Sequence, residues 1–103
     1  MQESPIPNRP LSHDEMIEVL RSNFVFPGEF PVTVIARSGS DFYARLHAML
    51  EALQGETTFT IQERPSSKNN FTSYRIEIFV ESAETALYRK EAIGKISGVL
   101  MML

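Results

Sequence analysis

Met16, Ile17 and Leu20 fall on one helical face, and Ser12 followed by Glu15 forms a capping box ahead of them. This predicts a short helix ending near Asn23. Residues 24–31 hold Pro27, Gly28 and Pro31, so they read as a connector into the first strand. Val32, Val34 and Ala36 then alternate with Thr33, Ile35 and Arg37, the period of two of a half-buried strand. Gly39 breaks that strand, and Ser40 or Asp41 caps a helix. Its apolar stripe is Phe42, Leu46, Met49, Leu50 and Leu53, and Gly55 ends it. Alternation returns over residues 57–64, with Phe59 and Ile61 on one side, and again over residues 71–81, with Tyr74, Ile76, Ile78 and Val80. Between these runs the loop 65–70 closes a hairpin. Ser82 caps a second core helix carrying Ala83, Ala86, Leu87 and Ile93, Gly94 is placed to stop it, and residues 99–103 suit a last strand.

Strand, helix, strand, strand, helix, strand is the split arrangement of a ferredoxin-like α+β fold, with two helices on one face of a four-stranded antiparallel sheet. Right-handed crossovers place the first and third strands in the centre and the second and fourth at the edges. The helices then meet Val32, Val34, Ala36, Phe59, Ile61, Tyr74, Ile76, Ile78 and Val80. Residues 1–23 form a mobile, proline-rich tail and the short N-terminal helix, and residues 24–103 form the ferredoxin-like domain.

The other face of the sheet carries Thr33, Ile35, Arg37, Thr58, Thr60, Gln62, Arg75, Glu77 and Phe79, joined by Leu100 and Met102 or their neighbours. It is too apolar in its middle for a solvated surface and too polar for a second core. Two covers are available. The N-terminal helix can lay Met16, Ile17 and Leu20 on it, or a second copy of the chain can pair against it to give a homodimer.

Composition narrows the function classes. With 43% hydrophobic and 22% charged residues among 103, the chain is long enough for one core and ordinary enough to bury it unaided. The absence of cysteine removes thiolate metal sites, disulfides and redox chemistry, and a reducing cytoplasm is the natural compartment. No apolar run approaches the length of a membrane span, and a net charge of −3 offers nucleic acid and anionic lipid no attraction. An RNA-binding sheet of this shape would need stacking aromatics on its central strands. Here Ile35 takes the first such place, and Phe79 is flanked by Glu77 and Glu81.

Catalytic constellations are sparse. His13 and His47 are distant in sequence, and no His or carboxylate group has metal-ligand spacing. Tyr43, His47 and Glu51 stand one turn apart and can be drawn as a proton relay, but the line falls on the polar flank of the helix. Phosphatases of this fold cradle phosphate in a glycine-rich loop ending in arginine. The loop Arg37-Ser38-Gly39-Ser40-Asp41 has one glycine, and an acid stands at the helix start, where an anion is repelled. The expectation is therefore a protein that is not an enzyme and needs no cofactor and no metal.

Ser38, Gly39, Ser40 and Asp41 also suit a small-molecule turn, Asp41 facing an amine and the serines offering hydroxyls. The same residues serve equally as a turn at Gly39 and a helix cap at Ser40 and Asp41.

The hairpin carries the most specific signal. Pro65-Ser66-Ser67-Lys68-Asn69-Asn70-Phe71, followed by Ser73, resembles the Pro-Ser-Ser-Lys-Gly-Asn-Tyr-x-Ser signature of the YbeD-like family, small bacterial proteins whose function is not established. Phe26-Pro27 before the first strand, Gly94-Lys95-Ile96 after the second core helix, and a short apolar C-terminal strand agree with it. The likeness covers about residues 24–103. Asn69 replaces a usual glycine, and asparagine tolerates the left-handed conformation such a turn needs. Phe71 replaces a common tyrosine, so no hydroxyl is available there for chemistry. The resemblance implies an ACT-like fold and a link to regulatory domains that act by binding a small-molecule ligand or a protein partner. Pro65, Ser66, Ser67, Lys68, Asn69, Asn70 and Ser73 are the candidate binding loop, although a polar loop closed by serine and asparagine turn bonds explains the same residues.

Overall fold

A computed structural model of the chain describes residues 9–103. The elements are α1 His13–Asn23, β1 Gly28–Arg37, α2 Phe42–Gln54, β2 Phe59–Pro65, β3 Phe71–Val80, α3 Ala83–Gly94 and β4 Met101–Met102. The strands form one sheet of four in the order β2-β3-β1-β4, every neighbouring pair antiparallel. This is the ferredoxin-like arrangement, with the long strands β1 and β3 at its centre.

Alternation sets the two faces. Along β1 and β3 every second residue is buried: Phe30, Val32, Val34 and Ala36 on one strand, Tyr74, Ile76, Ile78 and Val80 on the other. Phe42, Leu46 and Leu50 of α2 and Ala86 and Ile93 of α3 close over them. Burying each large apolar side chain of this set contributes about 1.5–3 kcal/mol. Phe59 and Ile61, on the edge strand β2, pack against the same core but stay half-buried.

β1 starts earlier than the sequence predicts. Residues 28–31, expected as connector, pair with β3 from Gly28 opposite Val80 to Pro31 opposite Glu77. Proline is tolerated within this central strand for a definite reason. The carbonyls of Thr33 and Ile35 accept from Leu103 and Leu100, so the polar backbone groups of odd-numbered residues point towards β4. β4 does not reach Pro31, and the missing N–H therefore leaves no ladder bond unmade. Gly28 is required by close approach, because a Cβ there would lie 2.5 Å from the Val25 carbonyl oxygen.

α1 is capped as expected. Ser12 Oγ accepts from the Glu15 N–H at 3.2 Å, and the Glu15 carboxylate accepts from the Ser12 N–H at 2.8 Å. The tail expected before it lies outside the described residues as far as residue 8. Arg9 is tied down, its guanidinium making two bonds of 2.8 and 3.1 Å to Glu15.

The first proposed cover of the open face is overturned. Met16, Ile17 and Leu20 pack with Ala83 and Leu87 of α3 and with Phe26, and Arg21 pairs with Glu84. The connector decides this placement. Phe24 stands edge-on to the inward Phe30 at a centroid distance of 5.0 Å, and Phe26 lies 6.4 Å from the same ring. The chain therefore enters the sheet from its helical side and leaves α1 there.

Candidate functional site

Both segments singled out in the sequence meet at one end of the sheet. Arg37 closes β1 opposite Phe71, which opens β3, so the turn after one strand lies beside the hairpin before the other. The Ser38 N–H donates to the Asn70 carbonyl at 3.0 Å, and the Ser38 and Thr72 hydroxyls are 2.7 Å apart.

Within the turn the polar groups are largely committed to one another. Gly39 has φ +75°, where a Cβ would be strained. Ser40 Oγ donates to the Arg37 carbonyl at 2.9 Å and accepts from the Phe42 N–H at 3.4 Å. Asp41 holds the N-cap position of α2, one of the two expected there, but its side chain makes no capping bond to the backbone N–H groups of the helix start. Its carboxylate instead accepts from Arg45 at 3.0 Å. A backbone N–H bond first, and then Arg45, hold that carboxyl below the usual range.

The hairpin is built the same way. The Ser66 N–H donates to the Phe71 carbonyl, its carbonyl accepts from the Asn69 N–H, and its hydroxyl accepts from the Phe71 N–H at 3.2 Å. Asn69 adopts φ +58°, the left-handed geometry that glycine serves in the signature. Pro65 ends β2 opposite Thr72, while Ser67, Lys68, Asn69 and Asn70 project into solvent. Ser73 is different: it leaves the loop for the open face of the sheet, between Arg64 of β2 and Ile35 of β1.

That open face has a graded character along its strands. Arg37, Arg64 and Arg75 lie towards the loop end, whereas Glu77 and Glu29 follow towards the other. Arg37 sits over the Phe71 ring at 5.7 Å, and Arg75 donates to Glu77 at 3.3 Å. A shallow hollow of about 810 Å³ is bounded by Thr33, Gln62, Glu63, Arg64, Ser73 and Arg75. Beside it lies an apolar hollow of about 290 Å³ formed by Ile35, Phe71, Leu100 and Met101. The last strand thus presents Met101 outward, in register with Ile35, while Met102 turns to the core beneath Gly94. Of the two alternatives the sequence leaves open for the last strand, it is the neighbour Met101 and not Met102 that faces outward, with Leu100 beside it in the apolar hollow. Arg64 was not singled out in the sequence, because its importance comes from its register partner Ser73 on another strand.

The drawn relay is a packed helix flank. His47 Nδ1 lies 3.5 Å from Glu51, and its ring is tilted against Tyr43 at 5.9 Å and meets Phe59 edge-on at 5.5 Å. Among the described residues no group of His or carboxylate side chains is arranged to hold a metal ion, and no helix is long and apolar enough to cross a membrane.

A family model described as "Protein of unknown function (DUF493)" matches residues 21–103. The chain belongs to this family. The YbeD-like signature of the hairpin is a mark of DUF493, and the match takes in both loops and all four strands while leaving out most of α1. The DUF493 chain is similar in fold to the solution structure of protein HP0495 from H. pylori. That likeness has a TM-score of 0.64 at 14% identity and covers 100% of this chain and 97% of the other. No curated protein matches the chain.

Proposed function

We propose that this DUF493 chain is a non-enzymatic binding module of the ACT-like regulatory kind, acting without cofactor in the cytoplasm, with its contact surface at the loop end of the open sheet face. One observation carries the reading. α1 packs on α3, so nothing among the described residues covers Ile35, Phe71, Ser73 and Arg75, and both candidate loops converge beside them. The side chains of Ser67, Lys68, Asn69 and Asn70 project into solvent and are available for contact, while the Ser66 hydroxyl and the turn's backbone bonds fix the loop beneath them. No residue is assigned a catalytic role.

The test is a thermal-shift screen of amino acids and organic acids, since selective binding to the folded state raises the melting temperature by mass action. A ligand-dependent rise that is reduced in Lys68→Ala supports the module. Turnover lost on replacing Lys68, Asp41 or His47 would refute it.

A second reading draws on the apolar hollow. Phe71, Leu100 and Met101 are 40%, 49% and 55% exposed and adjoin one another, as in surfaces that bind a protein partner or a second copy of the chain. If no small molecule shifts the melting temperature while the chain self-associates, or retains one specific protein through Met101, the adaptor reading replaces the first.

A further inference from the structure

We infer that the hollow centred on Ser73 is a site for a small oxyanion, a carboxylate or phosphate carried by a molecule with a short apolar arm. The inference rests on the binding-module reading and names the ligand class of its surface. Ser73 has Arg64 as its register partner on β2, and Arg75 two residues along the same face of β3. Strand spacing and rise put both within about 7 Å of its position, a span that flexible guanidinium side chains close easily. Gln62 and Thr33 flank Arg75 on the neighbouring strands and add neutral donors.

The charge balance favours an anion. Among the described residues neither Arg64 nor Arg37 forms an ion pair, and Arg75 spends one donor on Glu77 and keeps the rest of its fork. Glu63 borders the hollow but alternates to the opposite side of β2, in register with the inward Tyr74. The apolar part of the ligand then lies on Ile35, Phe71 and Met101, which adjoin Ser73. A long polyanion is disfavoured, because Glu77 and Glu29 occupy the continuation of the same face and the chain carries a net charge of −3.

The test is an amide NMR titration of the full chain at constant ionic strength with inorganic phosphate, citrate and phenyl phosphate. Saturable shifts confined to Thr33, Gln62, Arg64, Ser73 and Arg75 are expected for at least one anion. The comparison of citrate with phosphate distinguishes the carboxylate from the phosphate source. Phenyl phosphate should bind several-fold tighter than phosphate and extend the shifts to Ile35, Phe71 and Met101. Arg64→Ala and Arg75→Ala should each weaken binding about tenfold, the loss of one charge-assisted bond, whereas Lys95→Ala on the helical side changes nothing. Both arginines are exposed, and unchanged resonances elsewhere establish that the variants fold. Shifts that never saturate, or that persist when both arginines are replaced, overturn the inference as mere ionic screening. A ligand from the thermal screen whose effect survives that double replacement removes the anion site while leaving the binding module standing.

Discussion

The side-chain amide oxygen of Gln54, at the end of α2, accepts a 2.9 Å bond from Nε of Arg89 in α3, while the nitrogen of the same amide donates to the carbonyls of Thr58 and Phe79. One buried polar side chain thus joins both core helices to the sheet edge. Gln54→Ala should destabilise the fold by about 1–3 kcal/mol, because it removes three part-buried hydrogen bonds at once and leaves the Phe79 carbonyl and the Arg89 guanidinium without this partner. Chemical denaturation measures this, and a change within about 0.5 kcal/mol would mean that the clamp contributes nothing.

Positions on the two faces of β3 should respond very differently to truncation. Ile76 is fully buried between sheet and helices, and Ile76→Ala should cost about 2–5 kcal/mol through lost burial and the cavity left behind. Phe79 faces outward on the same strand at 37% exposure, and Phe79→Ser should change stability far less, by about 0.5–1 kcal/mol. Equal losses would show that the outer face is covered.

At the hairpin tip the backbone conformation is decisive. Asn69→Gly should be neutral or slightly stabilising, whereas Asn69→Val should cost about 1–2 kcal/mol, since a branched side chain resists a φ of +58°. A melting curve for Asn69→Val that overlays the parent would rule out the left-handed turn.

Glu15 supplies a pH dependence. Its carboxyl is lowered from 4.5 to about 2, chiefly by the Arg9 guanidinium and then by the Ser12 N–H and hydroxyl. A depressed carboxyl value stabilises the folded form fully above its ordinary range, and that contribution is lost as pH falls through the folded value. The start of α1 should therefore loosen between about pH 4.5 and 2. Carboxyl NMR titration should show Glu15 moving up towards its ordinary value in Arg9→Ala, and an unchanged titration would contradict the two-bond contact.

Ile17 anchors α1 through Ala83 and Leu87, outside the main core. Ile17→Ser should accelerate hydrogen exchange across residues 13–23 while the amides of β1 and β3 keep their protection. Uniform loss of protection throughout the chain would instead make α1 integral to the domain.

The sequence alone determined the order of elements, the inward face of the first three strands, the caps at Ser12 and Ser82 and the tolerance of Asn69 for its turn. These follow from periodicity and from bonds made within a few residues, and such short-range terms are written directly into the chain. Tertiary structure decided the rest. The side of the sheet taken by α1 depends on where Phe24 and Phe26 meet Phe30, and the extension of β1 through Pro31 depends on how far β4 reaches. Arg64, Ser73 and Arg75 converge only through cross-strand register, and Gln54 finds Arg89 only once both helices lie on the sheet. Each of these turns on contacts between residues distant in the chain, which local patterning leaves open.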